Sequence, residues 1–231
     1  MSSLSGSKVI SSTPLPESEA KWIKTVKLEY KDPEGKTRIW ESAERRTRPA
    51  ASDIDGVGIL AILPDRDNTS GVGPRVVLQK QFRPPVNMVT IEVPAGLVDA
   101  GETPEQAAVR ELREETGYVV SPAAAATTAN AASGEGEGTA RPTTETSPVM
   151  YNDAGFCNTN LRMVHVELDP DLEENKNPRP TLEDGEFIET FTAPLARLWD
   201  VCVELEAEGY AIDARLGSLA EGILIAQRYK L

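Results

Sequence analysis

The chain has 231 residues, a formal net charge of −13 and 39% hydrophobic residues. This length fits one α/β core with a small extension, and no apolar run is long enough to cross a membrane. The acidic charge opposes binding to nucleic acid, which needs a basic surface. The two cysteines support no disulfide framework. We therefore expect a reducing compartment, the cytoplasm and also the nucleus, rather than secretion.

The N-terminal region divides into a tail and a hairpin. Residues 1–19 are rich in serine and lack the apolar segment of a signal peptide, so we expect a disordered tail. Residues 21–30 and 37–46 predict two strands, and the segment Asp32-Pro33-Glu34-Gly35 between them predicts a hairpin turn. Residues 20–52 are thus expected to form a β-hairpin extension.

Residues 53–231 are predicted to form the main domain, with an α/β or α+β fold. Residues 121–148 within it have low complexity and no aromatic side chain, which predicts a flexible insertion, either a passive linker or a lid. His165, the single histidine, falls in a predicted strand, where a structural role is expected, and Trp199 is expected in the core. The predicted strands are 55–63, 75–82, 89–93, 160–168 and 186–192, and the last two predicted helices are 195–208 and 213–229.

A short helix is predicted at about 104–116. Thr103 is a suitable N-cap, Pro104 suits the first helical position, and Gln106 completes a capping box. Thr116 is followed by Gly117, which fits the left-handed position just after a helix. The sequence therefore marks both ends of this helix.

Three carboxylates, those of Glu111, Glu114 and Glu115, lie in the last two turns of this helix. Negative charge is unfavourable there, because the helix dipole costs each acid about 0.3–1 kcal/mol. A divalent cation would turn this repulsion into attraction, and Mg²⁺ prefers oxygen ligands. The alternative is a solvated acidic face that Arg110 and Arg113 partly neutralise.

The spacing around these acids resembles the Nudix box, G-x5-E-x7-R-E-U-x-E-E-x-G-U, in which U is a bulky apolar residue. Tyr118 is an aromatic variant of the last position. The resemblance implies an α/β/α sandwich with a mixed sheet. The matching positions are Gly96, Glu102, Arg110, Glu111, Leu112, Glu114, Glu115, Gly117 and Tyr118.

The resemblance also implies a loop–helix–loop that holds Mg²⁺ or Mn²⁺ against a diphosphate. It makes Glu111 and Glu115 the main metal ligands and catalytic carboxylates. Glu114 would be a further catalytic ligand, often through water, and the backbone carbonyl of Ala95 a possible extra one. Glu102 and Arg110 would brace the loop.

Residues 79–105 (QKQFRPPVNMVTIEVPAGLVDAGETPE), 21–46 and 184–189 are similar to the eukaryotic ADP-ribose pyrophosphatases, or ADP-sugar diphosphatases. This similarity implies Mg²⁺-dependent hydrolysis of ADP-ribose, and of other ADP-sugars, by a domain-swapped homodimer. In such enzymes two tryptophans sandwich the adenine, one from each subunit, which predicts this role for Trp22 and Trp40. Their alternative role is packing in the core.

The same similarity predicts further substrate contacts. Arg83 precedes Pro84-Pro85, and its guanidinium could bind diphosphate oxygens in a bidentate manner; the alternative is a surface arginine. Arg45 is a second candidate, with Arg46 and Arg48 as neighbouring competitors. The remaining positions predicted to contact the nucleotide, the ribose or the diphosphate are Glu41, Asp55 and Leu97.

Glu186 is predicted to orient the attacking water or act as general base, with Glu183 and Glu189 as competitors. Three functions stay open at this point. The first is an ADP-sugar diphosphatase. The second is a Nudix hydrolase of modified nucleoside di- or triphosphates, and the third is a nucleotide-binding sensor without catalysis. Three crowded acids argue against the sensor, because a pure binder has little need of them.

Overall fold

The computed structural model describes residue 4 and residues 6–66, 71–121 and 144–231. Strands β1 (Ile23–Lys31) and β2 (Thr37–Arg45) form a separate antiparallel hairpin. The N–H of Gly35 donates to the carbonyl of Asp32 at 2.8 Å, and the φ of +79° at Gly35 suits glycine at this turn. The predicted hairpin is therefore confirmed.

The other strands of the described chain belong to one mixed sheet. The strands are β3 (Gly56–Leu63), β4 (Arg75–Arg83), β5 (Met88–Glu92), β6 (Ala95–Leu97), β7 (Thr144–Thr146), β8 (Met150–Tyr151), β9 (Asn160–Glu167), β10 (Ile188–Pro194) and β11 (Ala211–Ile212). β3 runs parallel to β9 and antiparallel to β4 and β6, while β4 is antiparallel to β5 and β10. β11 lies parallel to β5, and β7 and β8 are antiparallel to β9.

Helices cover both faces of this sheet. On one face α1 (Pro104–Thr116) buries Ala108 and Leu112 in a cluster with Val57 and Ile59 of β3. On the other face α3 (Leu198–Ala207) and α4 (Ala214–Tyr229) pack on β4 and β5. The alternation of side chains along β4 explains this, since Val77 joins the first cluster and Leu78 the second. The expected α/β/α sandwich is confirmed.

Two shorter helical segments complete the described structure, α2 (Glu173–Lys176) and a 3₁₀ turn at Leu195–Arg197 that precedes α3. The predicted strands and long helices agree with the observed ones to within about three residues. Strands β6, β8 and β11 were not predicted, because two or three residues are too short for a periodic pattern. Among the described helices, none has the length and apolar character needed to span a membrane.

The predicted insertion ends earlier than expected. Residues 122–143 lie outside the described residues, but Thr144–Thr146 form β7 and pair with β9. The boundary at residue 148 is therefore wrong. Threonine favours strands, but the low complexity of the whole segment gave no periodic pattern from which this short strand could be predicted.

The expected core position of Trp199 is also wrong, because its side chain is 38% exposed. α3 buries Leu198 and Cys202, which are four residues apart on one face of the helix. Trp199 follows Leu198 directly and therefore turns away from that face. His165 is exposed on β9.

Residues 6–19 form no helix or strand and are largely exposed. Two contacts tie this segment to the rest of the chain. The N–H of Val9 donates to Asn87 Oδ1 at 2.7 Å, and Glu17 pairs with Arg46 at 3.2 Å. Disorder of residues 1–19 stays a prediction.

Candidate active site

Helix α1 has the two ends that the sequence predicts. The Thr103 side chain accepts from the Gln106 N–H, and Gln106 Oε1 accepts from the Thr103 N–H at 2.9 Å. At the other end Gly117 has a φ of +76°, and its N–H donates to the Arg113 carbonyl at 2.9 Å. Both ends are thus fixed locally, and this sets which side chains face the sheet.

Glu115 is on the buried face of α1, one turn after Leu112, and is 3% exposed. Its Oε2 accepts from the Ala95 N–H at 3.0 Å, and Gln79 Nε2 lies 3.5 Å from Oε1. Burial raises the pKa of Glu115 from its usual value near 4.5 to about 8, with the charges of Glu111 and Glu186 adding to the effect. The protein by itself therefore disfavours a negative charge on Glu115.

Arg110 connects the loop before α1 to the helix carboxylates. Its guanidinium donates to both carboxylate oxygens of Glu102 at 3.0 and 2.9 Å and to the Leu97 carbonyl at 3.0 Å. It also donates to Glu111 at 2.8 Å and to Glu114 at 3.2 Å. The Arg110 hydrogen bonds lower the pKa of Glu102. These contacts confirm that Glu102 and Arg110 brace the loop.

Glu111 lies directly against Gly96 of β6. A Cβ at position 96 would be 1.9 Å from Glu111 Cδ, so only glycine leaves room for this carboxylate. Burial raises the pKa of Glu111, and the hydrogen bond from Arg110 opposes that rise. Glu114 is 38% exposed, at the rim of the site.

Glu186 is far from the helix in sequence but near it in space. It lies two residues before β10, and its negative charge contributes to the raised pKa of Glu111 and of Glu115. Its competitor Glu189 pairs with Lys80 in the sheet register, whereas the next residue, Thr190, donates to the Glu115 carbonyl at 3.4 Å. Glu189 therefore lies on the opposite face of β10 from the site.

A model of the NUDIX domain family matches residues 54–200. The chain belongs to the Nudix family. It is 47% identical over 214 residues to the ADP-ribose pyrophosphatase of Saccharomyces cerevisiae. This match covers 93% of this chain and 82% of that protein. A second relative, an uncharacterized Nudix hydrolase of Schizosaccharomyces pombe, is 42% identical over 96% of this chain and 95% of that protein. The ADP-sugar pyrophosphatase of Mus musculus is 36% identical, over 86% of this chain and 80% of that protein. The resemblance found in the sequence is confirmed, and the chain is a Nudix hydrolase.

Nudix hydrolases generally use divalent metal ions, and the donor set of this chain fits one. Within the described ranges, no three acidic, histidine or cysteine side chains are arranged to hold a metal ion. Of the box carboxylates, Glu111 accepts from Arg110 and Glu115 accepts from the Ala95 N–H. The donors are nevertheless carboxylate oxygens with raised pKa values, which a hard cation would stabilise. Gln79 Oε1 is buried beside Glu115 and has no hydrogen-bond partner, so it could accept from a metal-bound water.

The unfavourable burial of the Glu115 charge can be tested by measuring the free energy of unfolding of Glu115→Gln. The folded pKa is above the unfolded one, so folding takes up a proton and stability is lost as pH rises from about 4.5 to about 8. Glutamine carries no such charge. In a chelating buffer at pH 8 we expect Glu115→Gln to unfold with a free energy about 2–4 kcal/mol higher than wild type.

Urea denaturation at pH 5 and at pH 8 measures this difference, which should shrink greatly at pH 5. An equal difference at both pH values would show that the charge of Glu115 is not its source.

The hairpin tryptophans lie on the surface of this Nudix hydrolase. Trp22 is 66% and Trp40 is 50% exposed, which excludes core packing. Trp40 Nε1 donates to the Gly155 carbonyl at 3.0 Å, whereas Trp22 lines a shallow pocket that includes Leu15 and Lys21. Both indole rings are therefore accessible for stacking.

Two further predicted substrate contacts lie on the hairpin. Glu41 and Arg45 are exposed on β2. Of the competing arginines, Arg46 pairs with Glu17 and Arg48 pairs with Asp55. Arg45 thus remains the best placed of the three for a ligand.

Asp55 is 3% exposed, and its carboxylate is held within the protein. Arg48 Nε donates to Oδ1 at 3.0 Å, and Oδ2 accepts from Arg48 Nη2 at 2.6 Å and from the Asn160 N–H at 3.0 Å. This geometry gives Asp55 a structural role, and its predicted contact with substrate has no support from it. This pair was not predicted from the sequence, because Arg48 precedes β3 in a loop without a periodic signal.

The guanidinium of Arg83 forms a bidentate ion pair with Glu92, at 2.7 and 2.6 Å. Arg83 is 41% exposed and so remains accessible at the end of β4. Glu92 and Gln79 were not singled out in the sequence. The alternation of polar residues at positions 79, 81 and 83 is the signal that could have found this face.

Proposed function

We propose that this chain hydrolyses the diphosphate bond of ADP-ribose to give AMP and ribose 5-phosphate, with other ADP-sugars as further candidate substrates. The observation that carries the proposal is the 47% identity with an ADP-ribose pyrophosphatase over nearly the whole chain. The braced loop and helix of the box support it, since Glu111, Glu115 and Glu186 lie together.

The carboxylates of Glu111, Glu114 and Glu115, with the Ala95 carbonyl, would hold Mg²⁺, or Mn²⁺ in its place. When bound, the cation supplies charge neutralisation across the diphosphate and a lower pKa for a bound water. Among these donors Glu115 suits this role best. Its burial makes a negative charge unfavourable, and a cation would offset that charge.

In the proposed reaction a water oxygen forms a bond to one phosphorus of the diphosphate. The bond from that phosphorus to the bridging oxygen breaks, and this oxygen leaves with the other phosphate. Glu186 positions the water and accepts its proton. Arg83 donates hydrogen bonds to the diphosphate oxygens, and Leu97 is proposed to contact the substrate beside the box.

The two tryptophans support a base site built by two chains. Trp40 is opposite Leu28 in the hairpin register, and Trp22 precedes Leu28 by six residues. At about 3.3 Å per residue the backbone positions of the two tryptophans are roughly 20 Å apart along the ribbon. This separation favours a sandwich formed by Trp22 of one subunit and Trp40 of another over one formed within a single chain. We accordingly propose a domain-swapped homodimer.

Glu41 and Arg45, which are exposed on β2, complete the proposed substrate-binding set, whereas the burial of Asp55 and its ion pair with Arg48 favour a structural role. We further propose a cytoplasmic or nuclear location, supported by the scarcity of cysteine, and no nucleic-acid partner, supported by the net charge of −13.

The deciding experiment is turnover of ADP-ribose with and without Mg²⁺, with the products identified by chromatography. AMP and ribose 5-phosphate would support the proposal. Preferential turnover of modified nucleoside triphosphates with release of pyrophosphate would favour the other class of Nudix substrate. Tight binding in calorimetry without turnover in Mg²⁺ would favour a sensor.

Trp22→Ala tests the base site. Loss of a stacking platform worth about 1–3 kcal/mol should raise KM for ADP-ribose about tenfold, with little change in kcat. Trp199→Ala is the matched control, since Trp199 is a partly exposed tryptophan on α3 and should leave KM unchanged. An unchanged KM in Trp22→Ala would end the stacking proposal.

A further inference from the structure

A row of polar side chains lies on the face of β4 that is turned toward the box carboxylates of α1. Gln79, Gln81 and Arg83 share this face because they alternate along the strand. Gln79 lies 3.5 Å from Glu115, and it is opposite Glu92 in the register of β4 and β5. Glu92 therefore belongs to the same face as the acidic site, one strand away.

Glu92 and Arg83 form an unequal pair. The carboxylate of Glu92 is on a side chain that is 3% exposed, whereas Arg83 is 41% exposed. Glu92 accepts from Arg83 Nε at 2.7 Å and from Nη2 at 2.6 Å. The buried partner thus fixes the plane of the guanidinium, and Nη1 on its other side remains for a ligand.

A second ion pair, between Arg215 and Asp213, lies next to the Arg83–Glu92 pair. Arg215 donates to Asp213 through Nε at 2.8 Å and through Nη2 at 2.9 Å. Asp213 follows β11, next to β5, and its N–H donates to the Ile91 carbonyl. Each arginine therefore forms its hydrogen-bonded ion pair with a different carboxylate, and the charges of the two neighbouring pairs also act on each other.

We propose that Glu92 is a positioning residue, which holds the Arg83 guanidinium at the rim of the acidic site with its Nη1 edge toward the diphosphate of the substrate. The inference rests on the proposed function, because it assumes a diphosphate ligand. Its physical basis is preorganisation, since a long flexible side chain binds an anion better when its rotamer is already fixed.

The test is a double-mutant cycle of Glu92→Gln and Arg83→Lys, with KM and kcat for ADP-ribose measured for all four proteins. Glutamine keeps the shape of Glu92 but removes its charge and one acceptor. We expect KM to rise about five- to twentyfold in Glu92→Gln, with kcat changing less than threefold. In the Arg83→Lys background the same change should have little further effect, because lysine has no plane to orient.

Asp213→Asn is the matched control, since it weakens the neighbouring ion pair with Arg215 and removes no hydrogen bond of Arg83. It should lower Tm and leave KM unchanged, and Glu92→Asp should recover part of the affinity. Equal effects of Glu92→Gln on KM in both Arg83 backgrounds would overturn the inference, as would an Asp213→Asn enzyme with the same rise in KM. If Glu92→Gln fails to fold, the cycle is run with Glu92→Asp under the same criteria. Absence of ADP-ribose turnover in wild type would instead overturn the proposed function.

Discussion

Glu111→Gln and Glu115→Gln are each expected to lower kcat for ADP-ribose by at least about a hundredfold in saturating Mg²⁺. Each change removes the negative charge of a proposed metal ligand, and the carboxylates of Glu111 and Glu115 lie close enough for their charges to interact. The loss of electrostatic stabilisation in the transition state is the physical reason. Initial rates of AMP formation measure it, and the affinity for Mg²⁺ should fall in parallel.

Glu105→Gln is the control on the same helix. Glu105 lies in the first turn of α1 and accepts a hydrogen bond from Thr146, away from Glu111 and Glu115. Its activity should stay within about twofold of wild type. Box variants with activity within a few-fold of wild type would show that Glu111 and Glu115 are not the metal ligands.

Asp55→Ala is expected to lower the free energy of unfolding by about 3–5 kcal/mol, the usual cost of leaving a buried ion pair without one partner. Its carboxylate is nearly inaccessible and holds the guanidinium of Arg48, which joins the segment after the hairpin to the start of β3. Urea denaturation of the purified variant measures the loss.

Asp53→Ala is the matched control, because Asp53 is 73% exposed and pairs with Arg162 at 3.6 Å. An exposed pair contributes at most about 1 kcal/mol. If Asp55→Ala instead kept the stability of wild type and raised KM, the substrate contact predicted from the sequence would be right and the structural role wrong.

The sequence was most informative where local chemistry decides the structure. Thr103, Pro104 and Gln106 begin α1, and Gly117 ends it, because these residues satisfy or remove backbone groups at helix ends. The box spacing then placed Glu111 and Glu115 on neighbouring positions of one helix without any knowledge of the sheet. The bracing role of Arg110 was implied only by the resemblance to the Nudix box.

Contacts between distant segments could not be predicted in this way. The Arg48–Asp55 and Arg83–Glu92 pairs depend on how strands and loops meet, and no local pattern specifies a partner. β7 follows a segment of low complexity, and its pairing with β9 becomes evident only in the assembled sheet. Composition predicts whether a segment can form a core, but it does not predict which edge strand will accept it.

The two glycines of the box, Gly96 and Gly117, are required for different physical reasons. At Gly117 the backbone conformation demands glycine, since φ is +76°. Gly96 is not among the residues with positive φ, and what excludes a side chain there is the carboxylate of Glu111. An alanine at position 96 would therefore displace the carboxylate of Glu111, which is fifteen residues away in the chain. At Gly117 glycine is required by a positive φ and by the nearby backbone of Arg179, whereas at Gly96 it is required by the nearby carboxylate of Glu111.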